Sequence, residues 1–377
     1  MVTSPSYLDA AATIINDVIA PNAAAIDRDA AYPRAAMDAL GRAGLLGLIS
    51  AQDVGGMGEG LRAATLVVEQ VGMACGSTAM VLCMHYCGAS VIEKYGSREA
   101  RQPIAGGRHI TTLAFSEAGS RSHFWVPQST AVEDQARGGV RLDAQKSWAT
   151  SAGEADSYVW SSKPMQGAEL STIWLVPGKA PGLSIPAPFD GLGLRGNSSS
   201  PIRAVEVMVP KDAMLGPDGG GFGIMMGTVL PWFQVLSAAC YIGMAGAATS
   251  KAAAHVASTR FAHLSQSLAE LPTIRAYLAR MRIKTDMARA LLLDTLSAIE
   301  GGREDAQLRV LEVKAAAGEV STEVTELAMR VCGGAAFRKD LGLERHFRDA
   351  RASTVMSPTT DVLYDFIGKA VAGLPLF

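Results

Sequence analysis

With 377 residues, 49% of them hydrophobic and 19% charged, the chain can bury a large core spread over two or three domains. Its 34 basic and 36 acidic residues leave a net charge of -2. No like-charge block interrupts that balance, which argues against a nucleic-acid partner, a polybasic membrane anchor and an acidic tail. Five cysteines, mostly in apolar stretches and without CxxC spacing, point to neither a metal site nor a disulfide framework and fit a cytoplasmic protein. No secretion signal is expected, because the first residues lack a basic region followed by an apolar run and a small-residue cleavage site.

The first hundred residues read as helices. Ser6 with Asp9 offers a capping pattern ahead of Leu8, Ala11, Ile15, Val18 and Ile19, which recur at three- and four-residue steps. A second helix runs through Met37 and Leu40 to Leu45, and "DVGGMGEG" breaks the pattern. A third apolar segment, about 61 to 95, ends at "KYGS". From about 109 the texture changes to short β-branched and aromatic runs, "HITTLAF", "STAVE", "GVRLD", "DSYVWSS", "STIWLVP" and "IRAVEVMVP", separated by Gly, Pro and Ser clusters.

Helical periodicity returns after "GPDGGGFG". The uncharged stretch 219–250 is long enough to span a bilayer, but its glycines, Pro231 and Gln234 favour the central helix of a bundle, and no membrane association is expected. A stripe of Ile274, Leu278, Met281, Ala288, Leu292, Leu296 and Ile299 follows, and then a long helix over about 304 to 332. The expected organisation is an N-terminal α-helical domain over 1–108, a middle β domain over 109–215 and a C-terminal helical domain over 216–377.

In this order and at this length, several landmarks resemble the acyl-CoA dehydrogenase family, from about residue 5 to the end of the chain. "AQDVGGMGEG" is similar to the family's early glycine turn. "LAFSEAGSRSHF" resembles its Thr-Glu-Pro…Gly-Ser-Asp strand and loop, with Ala118 for the proline and a shortened loop. "LDAQKSWATSAGEAD" resembles its Gly-x-Lys-x-Trp-Ile-Thr motif, and "RVCGGAAF" its Gln-x-x-Gly-Gly turn, with Arg330 for the glutamine. The resemblance implies an α+β multidomain fold: an N-terminal helical domain, a middle β-barrel or sandwich, and a C-terminal four-helix bundle. It also implies FAD bound without a Rossmann motif, since no GxGxxG follows a predicted strand.

Residue by residue, the same resemblance puts Phe115 and Ser116 along the flavin ring and Ser122 at the family's serine. Trp148 packs against the isoalloxazine, Thr150 turns its hydroxyl toward flavin N5, and Thr359 touches FAD. Arg260 stands for the arginine that meets the pyrophosphate, a task suited to a guanidinium fork. Gly333 and Gly334 let backbone approach the adenine half, often across a subunit interface.

Dehydrogenation of a thioester needs a base for the α proton while flavin takes the β hydride. In the family's main branch that base lies eight residues beyond the aspartate of "RDA", which from Asp349 is Ser357. In a second branch it stands on the long helix after the β domain, at Phe233 here, with Gln234 for the accompanying arginine. Neither carboxylate is present, and a serine hydroxyl needs a partner to take its proton.

Three readings follow. A dehydrogenase acting on an acyl thioester, carried by CoA or a carrier protein, recruits another group as base, with His85 and Asp361 as candidates. A flavin-dependent monooxygenase or N-hydroxylase of the same fold needs no thioester base, and polar Ser357 and His85 support a flavin hydroperoxide. A scaffold subunit has lost redox chemistry. An electron acceptor or flavin reductase is an expected partner. A homodimer or homotetramer is expected, because Val362, Leu363, Phe366, Ile367 and Ala370 would form an exposed apolar face on a monomer unless the tail folds back.

Overall fold

The computed structural model describes residues 6–120, 122–167, 169–263 and 265–376. Six helices open the chain: α1 (Ser6–Ile14), α2 (Ala20–Asp29), α3 (Arg34–Arg42), α4 (Leu61–Ala74), α5 (Gly76–Tyr95) and α6 (Arg98–Ala105). The apolar segment read as one unit over 61 to 95 is two helices, because Cys75 is extended at φ -150° and ψ 111°. The turn brings Gly76 against the rest of the core: a Cβ there would lie 2.5 Å from Met244 Cε and 2.8 Å from an Asp349 carboxylate oxygen. From Gly76 to Ile92 every residue of α5 is buried, which is why its sequence shows apolar character with little periodicity.

Seven strands follow: β1 (Thr111–Ala114), β2 (Thr130–Asp134), β3 (Gly139–Ala149), β4 (Ser157–Ser162), β5 (Thr172–Pro177), β6 (Leu183–Ser184) and β7 (Ser200–Val209). They form two sheets, one in the order β1-β4-β5 and one in the order β2-β3-β7-β6. The β4 strand, "SYVWSS", is buried along its whole length between antiparallel β5 and parallel β1. By contrast β3 outruns β2 and stays paired with β7 to its end, where Ala149 stands opposite Ser200. Its register against β7 shifts between Lys146 and Ala149, and an isolated bridge ties Lys146 to Glu117 beyond β1.

The C-terminal part begins with α7 (Gly221–Ile224), which continues through a π turn into α8 (Leu230–Ser258). A short hairpin of β8 (Arg260–Phe261) and β9 (Gln266–Ser267) precedes α9 (Pro272–Glu300) and α10 (Ala306–Cys332). Three shorter helices finish the chain: α11 (Leu343–Ala350), α12 (Ala352–Val355) and α13 (Thr360–Val371). The continuous helix Gly221–Ser258 is long and apolar enough to cross a membrane, yet 67% of its most apolar window is buried inside the protein. It packs against α4, α5, α9 and α10, as a core helix does. Its backbone touches that of α4, since a Cβ on Gly243 would stand 2.3 Å from the Glu69 carbonyl oxygen.

One expectation is corrected here. The apolar face of the last helix is not left open, because α13 packs on α10 with Leu363 and Phe366 buried in the main core. The tail folds back on its own chain, and Tyr364, Val371 and Leu374 are the large apolar side chains it leaves exposed among the described residues.

Candidate active site

A cavity of about 690 Å³ opens where the β domain meets the helices. Four segments wall it. The first is the run Phe115–Ala118 after β1, held to the second, Ser147–Thr150 at the end of β3, by the Ser147 N–H donating to the Ser116 carbonyl at 2.8 Å. The third is the loop carrying Phe189, Gly193, Leu194, Asn197 and Ser199. The fourth is the chain from Ala352 through Ser357 to Thr359. Met84 of α5 and Val229, Leu230 and Phe233 of the long helix close the floor.

Electrostatics fix the first two walls to each other. Lys146, fully buried, donates to Glu117 at 2.5 Å and to both the carbonyl and the hydroxyl of Ser161. Glu117 also accepts from the Ser129 hydroxyl and from the Gln128 and Ser129 N–H groups. Burial pushes the lysine down to about 8 against the pull of Glu117. Burial likewise works to raise the carboxyl, but Lys146 outweighs it and holds Glu117 below its ordinary range. Among the described residues that line the cavity, Glu117 is the one carboxylate, and with every oxygen engaged it is not free to act as a base.

The fourth wall has its own clamp. Lys314, buried on α10, donates to the carbonyl oxygens of Pro358 at 2.7 Å and Met356 at 3.0 Å, so it brackets Ser357 from both sides. Desolvation drives this lysine down to about 7, whereas two carbonyl acceptors favour its ammonium form. Asp349 anchors the third wall by accepting the Leu194 N–H at 2.6 Å, and burial lifts its carboxyl to about 6. Neither role is visible in the residue pattern. Lys314 stands among Val310, Leu311 and Gly318 on its helix, and a lone cation in that setting reads as solvated rather than clamped.

Of the residues singled out from the sequence, Phe115, Ser116, Ser122, Trp148, Thr150, Ser357 and Thr359 all border this cavity, and so does Phe233. Thr359 also caps α13, its hydroxyl accepting from the Val362 N–H at 3.4 Å. Asp361, a candidate base from the sequence, is exposed in the first turn of that helix and does not line the cavity. Arg260 is exposed and donates to the Ser265 carbonyl, and Gly333 and Gly334 lie exposed beyond the end of α10. All three are outside the cavity walls of a single chain.

His85 is the clearest correction. Its ring is buried and engaged at both nitrogens, with Nδ1 accepting from the Thr111 N–H at 3.3 Å and Nε2 donating to the Leu46 carbonyl at 2.9 Å. The backbone N–H fixes the neutral tautomer, and burial pushes the imidazole down to about 4. It serves the core and does not reach the cavity. A pH effect follows from the sign of that shift. Above the ordinary 6.5 neither state is protonated; below it the unfolded chain takes up a proton that the native ring refuses until about 4. Stability present at pH 7.5 is therefore lost toward pH 4.5, by roughly 2–3 kcal/mol from this group. Denaturant unfolding at the two pH values checks it, and His85→Gln is expected to remove that share, leaving the part due to buried His346, likewise held low at about 3.

The geometry suits a planar aromatic group. Trp148 borders the cavity yet is 64% exposed, with Phe189 meeting it edge-on at 6.4 Å, so one broad apolar surface stands uncovered. Around it lie the hydroxyl-bearing residues Ser116, Thr150 and Ser199, able to meet ring heteroatoms, with apolar Leu113, Phe115 and Met84 behind.

The fold and this site define a flavin-dependent oxidoreductase whose two β sheets lie between the N- and C-terminal helices in chain order, while those helices pack on each other through α4, α5 and α8. Three domain profiles match the chain: acyl-CoA dehydrogenase N-terminal domain over residues 6–105, middle domain over 112–207 and C-terminal domain over 219–372. Human mitochondrial short-chain specific acyl-CoA dehydrogenase is 30% identical over 353 residues, covering 91% of this chain and 83% of that protein. A probable acyl-CoA dehydrogenase of Bacillus subtilis is 27% identical, with 91% of each chain covered. Butyryl-CoA dehydrogenase of Megasphaera elsdenii superposes with a TM-score of 0.91 at 22% identity, over 99% of this chain and 100% of that one. The chain belongs to the acyl-CoA dehydrogenase family, and its cofactor is FAD.

Proposed function

We propose that the protein oxidises an acyl thioester, bound to CoA or to a carrier protein, by hydride transfer to FAD. FAD supplies the hydride acceptor at N5 and C4a chemistry when bound. In this reading Trp148 and Phe115 cover the ring, Thr150 holds a hydroxyl at N5, Ser116 and Ser122 bond along the ring edge, and Thr359 contacts the cofactor from the other wall. Apolar Leu230 and Phe233, both buried, exclude water where the acyl group sits. The observation that carries the reading is the convergence of the β3 end and the Ser357–Thr359 segment on one apolar-floored cavity, in a chain 30% identical to an acyl-CoA dehydrogenase.

The engaged state of Glu117 and the absence of another carboxylate among the described lining residues favour a second reading, flavin-dependent monooxygenation or N-hydroxylation, which needs no thioester base. Anaerobic addition of acyl-CoAs separates the two. Bleaching of oxidised flavin supports the dehydrogenase. If acyl-CoAs leave the spectrum unchanged, and flavin reduced by a reductase forms a long-lived C4a adduct with oxygen, the first reading falls.

Arg260, Gly333 and Gly334 take part in cofactor binding, on this proposal, from a second copy of the chain, as a homodimer or homotetramer in the cytoplasm with a separate protein accepting electrons. Size-exclusion chromatography with and without FAD tests the assembly.

A further inference from the structure

We infer that Ser199 is a positioning residue for the flavin, acting through Thr150; the inference rests on the proposed place of Thr150 beside N5. The two hydroxyl oxygens are 3.0 Å apart, and both residues line the cavity. The backbone places them together with some insistence. Ala149 pairs with Ser200 across β3 and β7, the Ser151 N–H donates to the Asn197 carbonyl at 2.9 Å, and the Ala152 N–H donates to that of Ser198 at 3.0 Å. The Asn197 side chain accepts the Ser199 N–H at 3.1 Å. Ser151, Leu194 and Ser198 sit at φ of 60°, 51° and 48°, left-handed conformations that non-glycine residues rarely adopt and that gather where surrounding structure holds a loop for a purpose.

A hydroxyl has one proton and two lone pairs. When Ser199 donates to Thr150, the Thr150 proton is free to point into the cavity, toward an acceptor. When Thr150 donates to Ser199, its lone pair faces the cavity and accepts from a donor. Oxidised flavin presents an acceptor at N5 and reduced flavin an N–H, so the pair reverses its polarity with the redox state and leaves no hydroxyl unpaired in either. A lone Thr150 would keep one state satisfied at the expense of the other.

The test reads the bound flavin without turnover. In FAD-loaded protein of verified flavin content, Ser199→Ala is expected to change the ratio of reduced to oxidised flavin tenfold at fixed potential, about 30 mV for two electrons, and to move the visible absorption band. Ser199→Thr keeps the hydroxyl and returns both values, while Ser199→Ala added to Thr150→Ala changes neither further. If Thr150→Ala shifts the potential and Ser199→Ala does not, or if Ser199→Thr shifts it as far as alanine does, the inference is overturned and Thr150 acts alone. If Thr150→Ala also leaves potential and spectrum unmoved, the placement of Thr150 at N5 is wrong and the inference goes with it.

Discussion

Ser357→Glu is expected to accelerate flavin bleaching by acyl-CoA by about 10²–10⁴-fold, the usual worth of a positioned general base. Position 357 borders the cavity, and the segment that carries it is pinned by Lys314 through the flanking Met356 and Pro358 carbonyls, so a longer side chain enters from a fixed backbone. Apolar Leu230 and Phe233, both buried, line the floor of the same cavity and would desolvate the new carboxylate, raising its proton affinity into the range useful for α-proton abstraction. The cationic Lys314 works against excessive neutralisation. Ser357→Gln has the same length without the charge and is expected to gain nothing. Stopped-flow absorbance under anaerobic conditions compares the two; equal rates would mean that position 357 does not face the substrate's α carbon.

Lys146→Met is expected to be the most destabilising of the single substitutions considered, by about 3–5 kcal/mol, because it strands the Glu117 carboxylate in the protein interior. The loss is larger than the pair's own worth. Lys146→Met combined with Glu117→Gln removes the uncompensated charge and is expected to recover a substantial part, which a double-mutant cycle in denaturant unfolding measures. Because this pair joins the segment after β1 that carries Phe115 and Ser116 to the end of β3, which carries Trp148 and leads into Thr150, the single variant is also expected to retain less FAD per chain. If Lys146→Met unfolds at the wild-type denaturant midpoint, the buried pair does not hold the walls together.

Much of the architecture was written in local pattern. Turn-separated β-branched runs between helical stretches are sensed by neighbours a few residues away, so the order helices, β domain, helices could be read directly, while the sandwich, the bundle and the cavity wall at Trp148 and Thr150 were implied by the resemblance of "LDAQKSWATSAGEAD" and the other landmarks to the family. The absence of a carboxylate at 357 and 233 was equally plain once the resemblance supplied the two base positions, eight residues beyond Asp349 and ten ahead of Gly243.

Other features were decided by packing across long separations. A polar residue in an apolar run reads the same whether it is catalytic or satisfied by backbone, and only the approach of Leu46 and Thr111 shows His85 to be the latter. The apolar face of α13 reads as exposed or covered according to where α10 lies. Lys314 on the Met356 and Pro358 carbonyls, Asp349 on Leu194, and Ser199 on Thr150 join positions 42 and 44, 155 and 49 residues apart, through one or two hydrogen bonds each. Such bonds leave no periodicity in the chain, because their geometry exists only once helices and sheets have docked.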